Sequence, residues 1–499
     1  MNTEPALPQS LPDGLPREDD AVADALLPPG VATIPTSVLT SVSAWWHLSP
    51  RQTAESELWL YQTTPFFKGA TLGNAAACTT NGPDGLADAF HHVQEARASS
   101  DTAKNPAAAS KLNQFRTVGC EVAAGGKVGG IRQVDIGPAP DGTDIHRSFF
   151  RNGHAKHHIN MLEIGTPVRR EEQPHDERKI VLVHGYGAGT AFFFRNVETL
   201  GSIPNSRLFG LDWLGMGRSS RPPYHLPRTA ARSAERVEAA ESFFLTALEQ
   251  WREKMEIDKM VLVGHSLGGY LSTAYALRHP ERVSELILVS PVGIPEGSWD
   301  VSRPMRPSAV PESDAAELQR VDSSSTTESE KNAVRVRPVG TRTRSVLGWL
   351  WDRNVSPFGI LRSSVVFGPL LMGSYTRRRF AALSEKERLC LHAYCYGVFT
   401  DRGSSEYCLA DILAPGAFAR QPLVHRMAPI QVPVSFLYGS NDWMDVNGAV
   451  AAKRVLAKAG NPHARIFIVP KAGHHLYLDN SPEFNKALRQ LLEKRDESR

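Results

Sequence analysis

VLVGHSLGGYLSTAYAL, residues 261–277, is the stretch of sequence that decides the fold. Its first three residues are apolar and predict a buried strand, and a helical pattern begins immediately after the glycines. The turn between them strains the backbone of its central residue, Ser266. Gly264 and Gly268 keep the flanking positions small, so that the helix can pack behind the strand. A serine at such a turn is typical of a nucleophile elbow, and the pattern predicts Ser266 as a nucleophile.

The composition limits the class of protein. A chain of 499 residues can hold one large domain with extensions, and 41% hydrophobic and 22% charged residues are usual for a soluble globular protein. The net charge of +3 is too small to indicate a nucleic-acid partner. The five cysteines are odd in number and lack metal-site spacing, which indicates a reducing compartment. No run of eighteen apolar residues occurs, so we expect no transmembrane helix.

The N-terminal region has an unusual composition. Residues 1–40 are rich in Pro, Ala and Asp, which predicts disorder. In the first thirty residues six acidic side chains face a single arginine, which argues against a mitochondrial presequence, and the absence of an apolar segment argues against a secretory signal. Residues 41–65 form a Trp-rich segment, in which Ser49 and Pro50 could open a helix. Residues 66–112, rich in Ala, Asn, Ser and Asp, are predicted as a loop insertion.

The rest of the chain alternates between predicted strands and helices. Residues 113–300 and 426–495 form the two parts of a core in the α/β class, with a mostly parallel central sheet and helices on both faces. The interpretation rests on predicted strands at 115–123, 131–136, 145–150, 157–165, 179–185, 207–213, 261–263, 286–289, 432–439 and 465–470, and on helices at 233–255, 447–459 and after Pro482. Between the two parts, 301–425 predicts a helical cap, with disorder at 311–332.

A serine nucleophile needs a base and an orienting acid. The loop after the last predicted strand reads KAGHHLYLDN and offers His474 and His475. We favour His474 as the base and expect His475 to pack. The loop after the preceding strand offers Asp442, which we favour, and Asp445 as the alternative acid. The chain order Ser266, Asp442, His474 is the order of the α/β-hydrolase fold.

An oxyanion hole needs two preorganised N–H donors. We expect one from Leu267, directly after the nucleophile. The glycine-rich loop after the 179–185 strand would supply the other, through the backbone of Tyr186. A phosphate-binding loop is the alternative, but this loop lacks the G-x-G-x-x-G spacing. The residues expected to support the site are His184, Gly185, Gly187, Gly264, His265 and Gly268.

Six motifs resemble one subfamily of α/β-hydrolase-domain lipid enzymes. They are LVHGYGAG, GLDWLGMGRSSRP, VLVGHSLGGYLS, ILVSPVGIPE, WLWDRNVSPFGILR and AGHHLYLDNSPEFN, and they lie within 115–300 and 345–495. The subfamily includes the lipid-droplet coactivator of triglyceride lipase, the lysophospholipase of the N-acyl-phosphatidylethanolamine pathway, and the fungal cardiolipin-specific deacylase with its acyltransferase-like relatives. The coactivator branch lacks the elbow serine, so the presence of Ser266 makes this chain similar to the catalytic branches.

The resemblance implies further roles. The family motif H-x-x-x-x-D, sometimes interpreted as an acyltransferase signature, is matched by His474 and Asp479, although we favour a capping role for Asp479 at the last helix. The Trp-rich segment of the coactivator binds lipid droplets. The similarly placed tryptophans here either meet a membrane interface or pack on the core; they are Trp45, Trp46 and Trp59. Basic residues at 331–344 and 377–379 suit either an anionic phospholipid surface or plain solvent.

The sequence therefore predicts a serine carboxylic-ester hydrolase that acts on phospholipid or lysophospholipid acyl chains. It would need no metal, nucleotide or other cofactor. The alternatives are an acyltransferase that uses acyl-CoA and lysophosphatidic acid, and a non-catalytic lipid-surface scaffold. We expect an intracellular protein, peripherally associated with a membrane or lipid droplet, in the mitochondrion or the cytosol.

Overall fold

A computed structural model of the chain describes residues 27–28, 33–72, 83–98, 117–137, 157–224, 234–301 and 351–493, apart from 48, 120, 124, 298, 299 and 352. Several predictions lie outside these residues. They are the strand at 145–150, the disorder at 311–332, most of the disorder at 1–40 and the basic residues at 331–344.

The described strands form one sheet. They are β1 (Thr117–Val118), β2 (Val128–Gly137), β3 (His157–Gly165), β4 (Arg178–Val183), β5 (Ser206–Leu211), β6 (Met260–His265), β7 (Val283–Val289), β8 (Val434–Gly439) and β9 (Ala464–Val469). The order across the sheet is β1-β2-β3-β5-β4-β6-β7-β8-β9. The pairs from β1 to β5 along this order are antiparallel, and every pair from β5 to β9 is parallel. The predicted mostly parallel sheet is confirmed.

Helices cover both faces of this sheet. In the described part of the chain they are α1 (Val38–His47), α2 (Pro50–Gln62), α3 (Gly85–Ala98), α4 (Val197–Gly201), α5 (Ala234–Lys254), α6 (Leu267–Arg278), α7 (Pro357–Ser363), α8 (Gly368–Arg379), α9 (Glu385–Thr400), α10 (Leu409–Ile412), α11 (Val446–Lys458), α12 (Leu476–Asp479) and α13 (Ser481–Glu493). Strand β4 illustrates the two-sided core. Val181 and Val183 pack in the cluster that contains α5 and α6, whereas Ile180 and Leu182 pack in the cluster that contains α2 and α9. A strand buried on both faces has a continuous apolar sequence, as IVLV at 180–183 does.

The described part of the segment predicted as a cap consists mainly of helices α7 to α10. Helix α9 packs closely on α2, because a Cβ added at Gly397 would lie 1.9 Å from Thr53 Oγ1. Helix α2 begins as its sequence indicates: Ser49 is the N-cap and its hydroxyl accepts the Gln52 N–H at 3.1 Å. The N-terminal segment and the cap are therefore in direct contact.

The Trp-rich segment 41–65 divides between the two roles considered for it. Trp59 on α2 is buried in the core cluster that contains α9. Trp45 and Trp46 on α1 are exposed, Trp46 by 75%. Helix α2 is thus part of the core, and within the segment 41–65 the exposed tryptophans lie on α1.

The prediction of a loop insertion at 66–112 is partly wrong. Part of the loop insertion predicted at 66–112 forms helix α3, which packs against β1 and β2. The buried side chains of Leu86, Phe90 and Val93 contact this edge of the sheet. Their spacing of four and three residues is helical, and the polar composition of the surrounding sequence obscured it.

Candidate active site

The turn around Ser266 has the strained geometry that its sequence indicates. Ser266 lies between β6 and α6 with φ 54° and ψ −116°, a left-handed φ that a non-glycine residue rarely adopts. Gly264 and Gly268 allow the backbone to pack closely on both sides of this turn. A Cβ at Gly264 would lie 2.4 Å from the carbonyl oxygen of Gly268, and a Cβ at Gly268 would lie 2.6 Å from that of His184. The turn therefore requires glycine at both positions.

The structure brings Ser266, His474 and Asp442 together from three loops at one edge of the sheet. The distance from Ser266 Oγ to His474 Nε2 is 3.0 Å, and the distance from His474 Nδ1 to Asp442 Oδ1 is 3.2 Å. Asp442 follows β8 and His474 follows β9, and the carboxyl ends of parallel strands meet at the same edge. With Nδ1–H directed at the carboxylate, the lone pair of Nε2 faces the serine hydroxyl.

The Asp442 carboxylate is held in its charged form. Burial alone would raise its pKa, but hydrogen bonds from His474, Ser290 and the Met444 backbone outweigh burial and lower it. The Met444 N–H donates to Oδ1 at 3.1 Å, and the Ser290 hydroxyl donates to Oδ2. Ser290 lies directly after β7 and was not predicted from the sequence. Its place after a strand was the one sequence feature that indicated a role at the site.

Asp445 occupies a different position. It is the N-cap of α11, and its Oδ1 accepts the backbone N–H of Asn447 at 2.9 Å. A carboxylate that caps a helix uses its oxygens for backbone donors. The carboxylate that contacts His474 is that of Asp442.

The glycine-rich loop after β4 runs directly beside the serine. A Cβ at Gly185 would lie 2.8 Å from Ser266 Cβ. Gly187 has φ +63°, and a Cβ there would lie 2.5 Å from the ring of Phe358 on α7. Within the described residues, the backbone N–H groups of Tyr186 and Leu267 have no protein acceptor. An oxyanion hole requires two such donors, so Tyr186 and Leu267 remain the predicted pair.

The family follows from comparison with known proteins. Residues 179–481, more than half of the chain, match a family described as alpha/beta hydrolase fold. The chain belongs to the α/β-hydrolase family. The residues described contain no cluster of three or more His, Cys, Asp or Glu side chains that could hold a metal.

Two relatives of this α/β hydrolase are named as lipid enzymes. An Arabidopsis thaliana protein named 1-acylglycerol-3-phosphate O-acyltransferase is 34% identical over 362 residues, which cover 71% of this chain and 74% of that protein. A human protein named (lyso)-N-acylphosphatidylethanolamine lipase is 31% identical over 343 residues, 68% of this chain and 85% of that protein. These relatives confirm the resemblance to the lipid-enzyme subfamily. Among solved structures, a bromoperoxidase from Bacillus anthracis matches with a TM-score of 0.42 and 18% identity over 68% of this chain and 96% of that one.

Two buried histidines hold the backbone of the α/β-hydrolase site. Burial lowers the pKa of His184 to about 4, so its ring is neutral. His184 Nδ1 donates to the Gly185 carbonyl at 2.7 Å, and Nε2 accepts the Trp213 N–H at 3.1 Å. Burial, followed by the nearby His474, lowers the pKa of His265 well below its ordinary value. The Nε2–H of His265 donates to the His474 carbonyl at 2.9 Å. The His184 ring thus holds the loop that carries the Tyr186 N–H, and the His265 ring holds the loop that carries His474.

Asp479 connects the His474 loop to the cap. Its Oδ2 accepts the Gly473 N–H at 3.0 Å, and its Oδ1 accepts Arg379 Nη1 from α8 at 3.0 Å. Arg379 Nε also donates to Nδ1 of the partly buried His475 at 3.2 Å. The capping role favoured for Asp479 is wrong, because one carboxylate oxygen accepts the Gly473 N–H and the other accepts Arg379, whereas Asn480 faces the first turn of α13. His475 packs, with its ring stacked on Phe192 at a centroid distance of 6.2 Å.

Proposed function

We propose that the protein is a serine carboxylic-ester hydrolase that cleaves acyl chains from phospholipids. The observation that carries this proposal is the continuous relay of Ser266, His474 and Asp442, with distances of 3.0 and 3.2 Å. A serine hydroxyl becomes nucleophilic when an oriented neutral imidazole takes its proton. The family is consistent with hydrolysis, and the names of two relatives support a lipid substrate.

The reaction follows from the positions of these groups. Ser266 Oγ attacks the ester carbonyl carbon while its proton moves to His474 Nε2, and Asp442 stabilises the imidazolium. The N–H groups of Tyr186 and Leu267 hold the negative oxygen of the tetrahedral intermediate. As this intermediate collapses, His474 gives the proton to the oxygen of the departing lysolipid, which leaves an acyl ester on Ser266. Water, activated by the same imidazole, then releases the fatty acid.

We also propose that helix α1 and the cap form one membrane-facing surface. Helix α1 exposes Leu39 by 84% and Trp46 by 75%, and the cap next to it exposes Phe367 and Leu371. A hydrogen-bonded link joins the two parts, because the Ser41 hydroxyl donates to the Val366 carbonyl and accepts the Leu370 N–H. Exposed tryptophan and aliphatic side chains on one surface suit the boundary between water and lipid. None of the described helices combines the length and apolar character needed to cross a membrane.

The three consecutive arginines of α8 have different surroundings. Of these, Arg377 donates to the Pro35 carbonyl at 2.9 Å and Arg379 is ion-paired with Asp479. Arg378 is exposed. Among the described residues, the exposed apolar side chains are therefore the main support for the proposed membrane surface. Liposome flotation with Trp46→Ser should show weakened binding to neutral and anionic vesicles alike.

Acyl transfer is a second candidate, favoured by the name of the 34% identical Arabidopsis relative. The thiol ester of acyl-CoA would acylate Ser266 with release of CoA thiol, and the hydroxyl of lysophosphatidic acid would replace water as the acceptor. The two reactions share the acyl-enzyme and differ only in the group that removes the acyl chain. A non-catalytic scaffold is the third candidate, and the ordered relay argues against it.

Purified protein with defined lipids tests these functions together. Native protein and Ser266→Ala are incubated with vesicles of phosphatidylethanolamine, N-acyl-phosphatidylethanolamine or cardiolipin, and lysolipid and fatty acid are measured by mass spectrometry. Labelled acyl-CoA with lysophosphatidic acid forms the parallel arm. Fatty acid released only by the native protein supports hydrolysis, whereas labelled phosphatidic acid supports transfer. Equal product from both proteins, or none, rejects Ser266-dependent catalysis on these lipids.

A further inference from the structure

Trp443 occupies an unusual place beside the proposed base. It directly follows Asp442, yet its side chain is 57% exposed. Its ring centroid lies 5.1 Å from that of His474, with the two ring planes tilted by 50°. A large aromatic side chain exposed at a protein surface gains little from burial, so its position against the imidazole calls for a reason other than core packing.

The other contacts of the His474 ring are hydrogen bonds or neutral rings. Asp442 and Ser266 occupy the two ring nitrogens. The rings of His265 and His475 lie 4.9 and 5.6 Å away, and burial keeps both of them neutral.

The Arg379 side chain brings a further charge to this group of histidines. Arg379, on α8, donates to His475, and its charge is paired with Asp479. Apart from the two histidines, the aromatic ring that lies against His474 is the indole of Trp443.

We propose that the indole of Trp443 stabilises the protonated imidazole of His474 through a cation–π contact. A cation within about 6 Å of an aromatic centroid is attracted by the ring, and tryptophan gives the strongest effect. The contact rests on the proposed function, because His474 becomes a cation when it takes the proton of Ser266. Trp443 is then a positioning residue, which acts through His474 without touching the reacting carbonyl.

The sign of the effect can be measured. Removing the indole removes a contact that favours the imidazolium, so the acid limb of the kcat/KM profile should move to lower pH. For a partly exposed contact the expected change is about half a pH unit, with a fall of about two- to fivefold in kcat on the plateau. Trp443→Leu removes the aromatic face and keeps apolar bulk, whereas Trp443→Phe keeps a weaker aromatic face and should give a smaller shift.

The experiment uses full-length protein and a water-soluble short-chain ester, p-nitrophenyl butyrate, so that membrane binding does not enter the rate. Ile468→Ala is the matched control, since Ile468 is exposed by 51% on β9, the strand that leads to His474. We expect the acid limb to move down for Trp443→Leu and to stay in place for Ile468→Ala. An unchanged or raised acid-limb pKa in Trp443→Leu overturns the proposal. A raised value would mean that the indole acts mainly by excluding water.

A second measurement separates this proposal from the proposed function. The imidazole of His474 is titrated by carbon-13 NMR in histidine-labelled protein, and its signal is identified as the one that His474→Gln removes. If the protein cleaves no ester, the proposed function fails, but a lower His474 pKa in Trp443→Leu than in the native protein still supports the contact. The same pKa in both proteins rejects the contact, whatever the activity.

Discussion

Replacing Glu57 with alanine should show that the N-terminal segment is part of the α/β-hydrolase core. Glu57 lies on α2 and its side chain is fully buried. Its carboxylate pairs with the Arg218 guanidinium and accepts the Thr190 hydroxyl at 2.9 Å. Thr190 follows the glycine-rich loop of the site, and its N–H donates to Asp212 at 2.7 Å. The substitution therefore removes an acceptor that joins α2 to the site.

The expected cost is about 3 kcal/mol in the free energy of unfolding. Breaking a buried ion pair on one side costs about 3–5 kcal/mol, because the remaining charge loses its partner in a place that water does not reach. The value lies at the lower end because Asp212 remains beside Arg218 and can take up part of its charge. Burial raises the pKa of both Glu57 and Asp212, and the Arg218 charge opposes this rise in both.

Equilibrium unfolding in urea, followed by tryptophan fluorescence, measures this cost. Glu55→Ala is the matched control on the same helix, because Glu55 pairs with an Arg51 side chain that is 71% exposed, and such pairs contribute about 0.5 kcal/mol or less. Glu57→Ala should unfold at a clearly lower urea concentration than both the control and the native protein. A difference of less than 1 kcal/mol between Glu57→Ala and the native protein would refute the role of the ion pair.

Three further predictions concern the site. Asp442→Asn should reduce kcat on p-nitrophenyl butyrate by about a thousandfold or more, whereas Asp445→Asn should change it by less than about threefold; similar losses would contradict the assignment of the acid. The buried neutral His184 binds no proton above its pKa of about 4, whereas the unfolded chain protonates near 6.5, so stability should fall as the pH is lowered. Between pH 7 and pH 5, the free energy of unfolding measured in urea should fall by about 2 kcal/mol less in His184→Gln than in the native protein. Equal falls in both proteins would contradict a neutral His184 in the folded state. Arg379→Gln should lower kcat and the unfolding temperature, whereas Arg378→Gln, at an exposed position, should change neither. If the two variants behave alike, Arg379 does not couple the cap to the loop that carries His474.

Much of the sheet and the three central residues could be predicted because they depend on local sequence. Apolar runs marked the parallel strands, and Ser266, Asp442 and His474 each follow a strand in the order of the fold. The choice between Asp442 and Asp445 stayed open, since both lie in one short loop. Only the structure separates the carboxylate that faces His474 from the one that caps α11.

The residues that sequence reasoning missed act over long distances along the chain. Ser290 reaches Asp442 across 152 positions, and Glu57 reaches Arg218 across 161. Short sequence motifs and periodicity do not predict contacts between side chains that lie so far apart in the chain. The role favoured for Asp479 was wrong for the same reason, because its partner Arg379 lies 100 residues earlier, in the cap.

Covalent labelling of Ser266 tests the central claim most directly. The native protein is treated with a fluorophosphonate, digested and analysed by mass spectrometry, beside Ser266→Ala and His474→Ala. We predict one adduct per chain on the peptide that contains Ser266, none on Ser266→Ala, and a strongly slowed reaction for His474→Ala. Equal labelling of the native protein and Ser266→Ala, or an adduct only on another residue, would contradict the claim that Ser266 is the nucleophile.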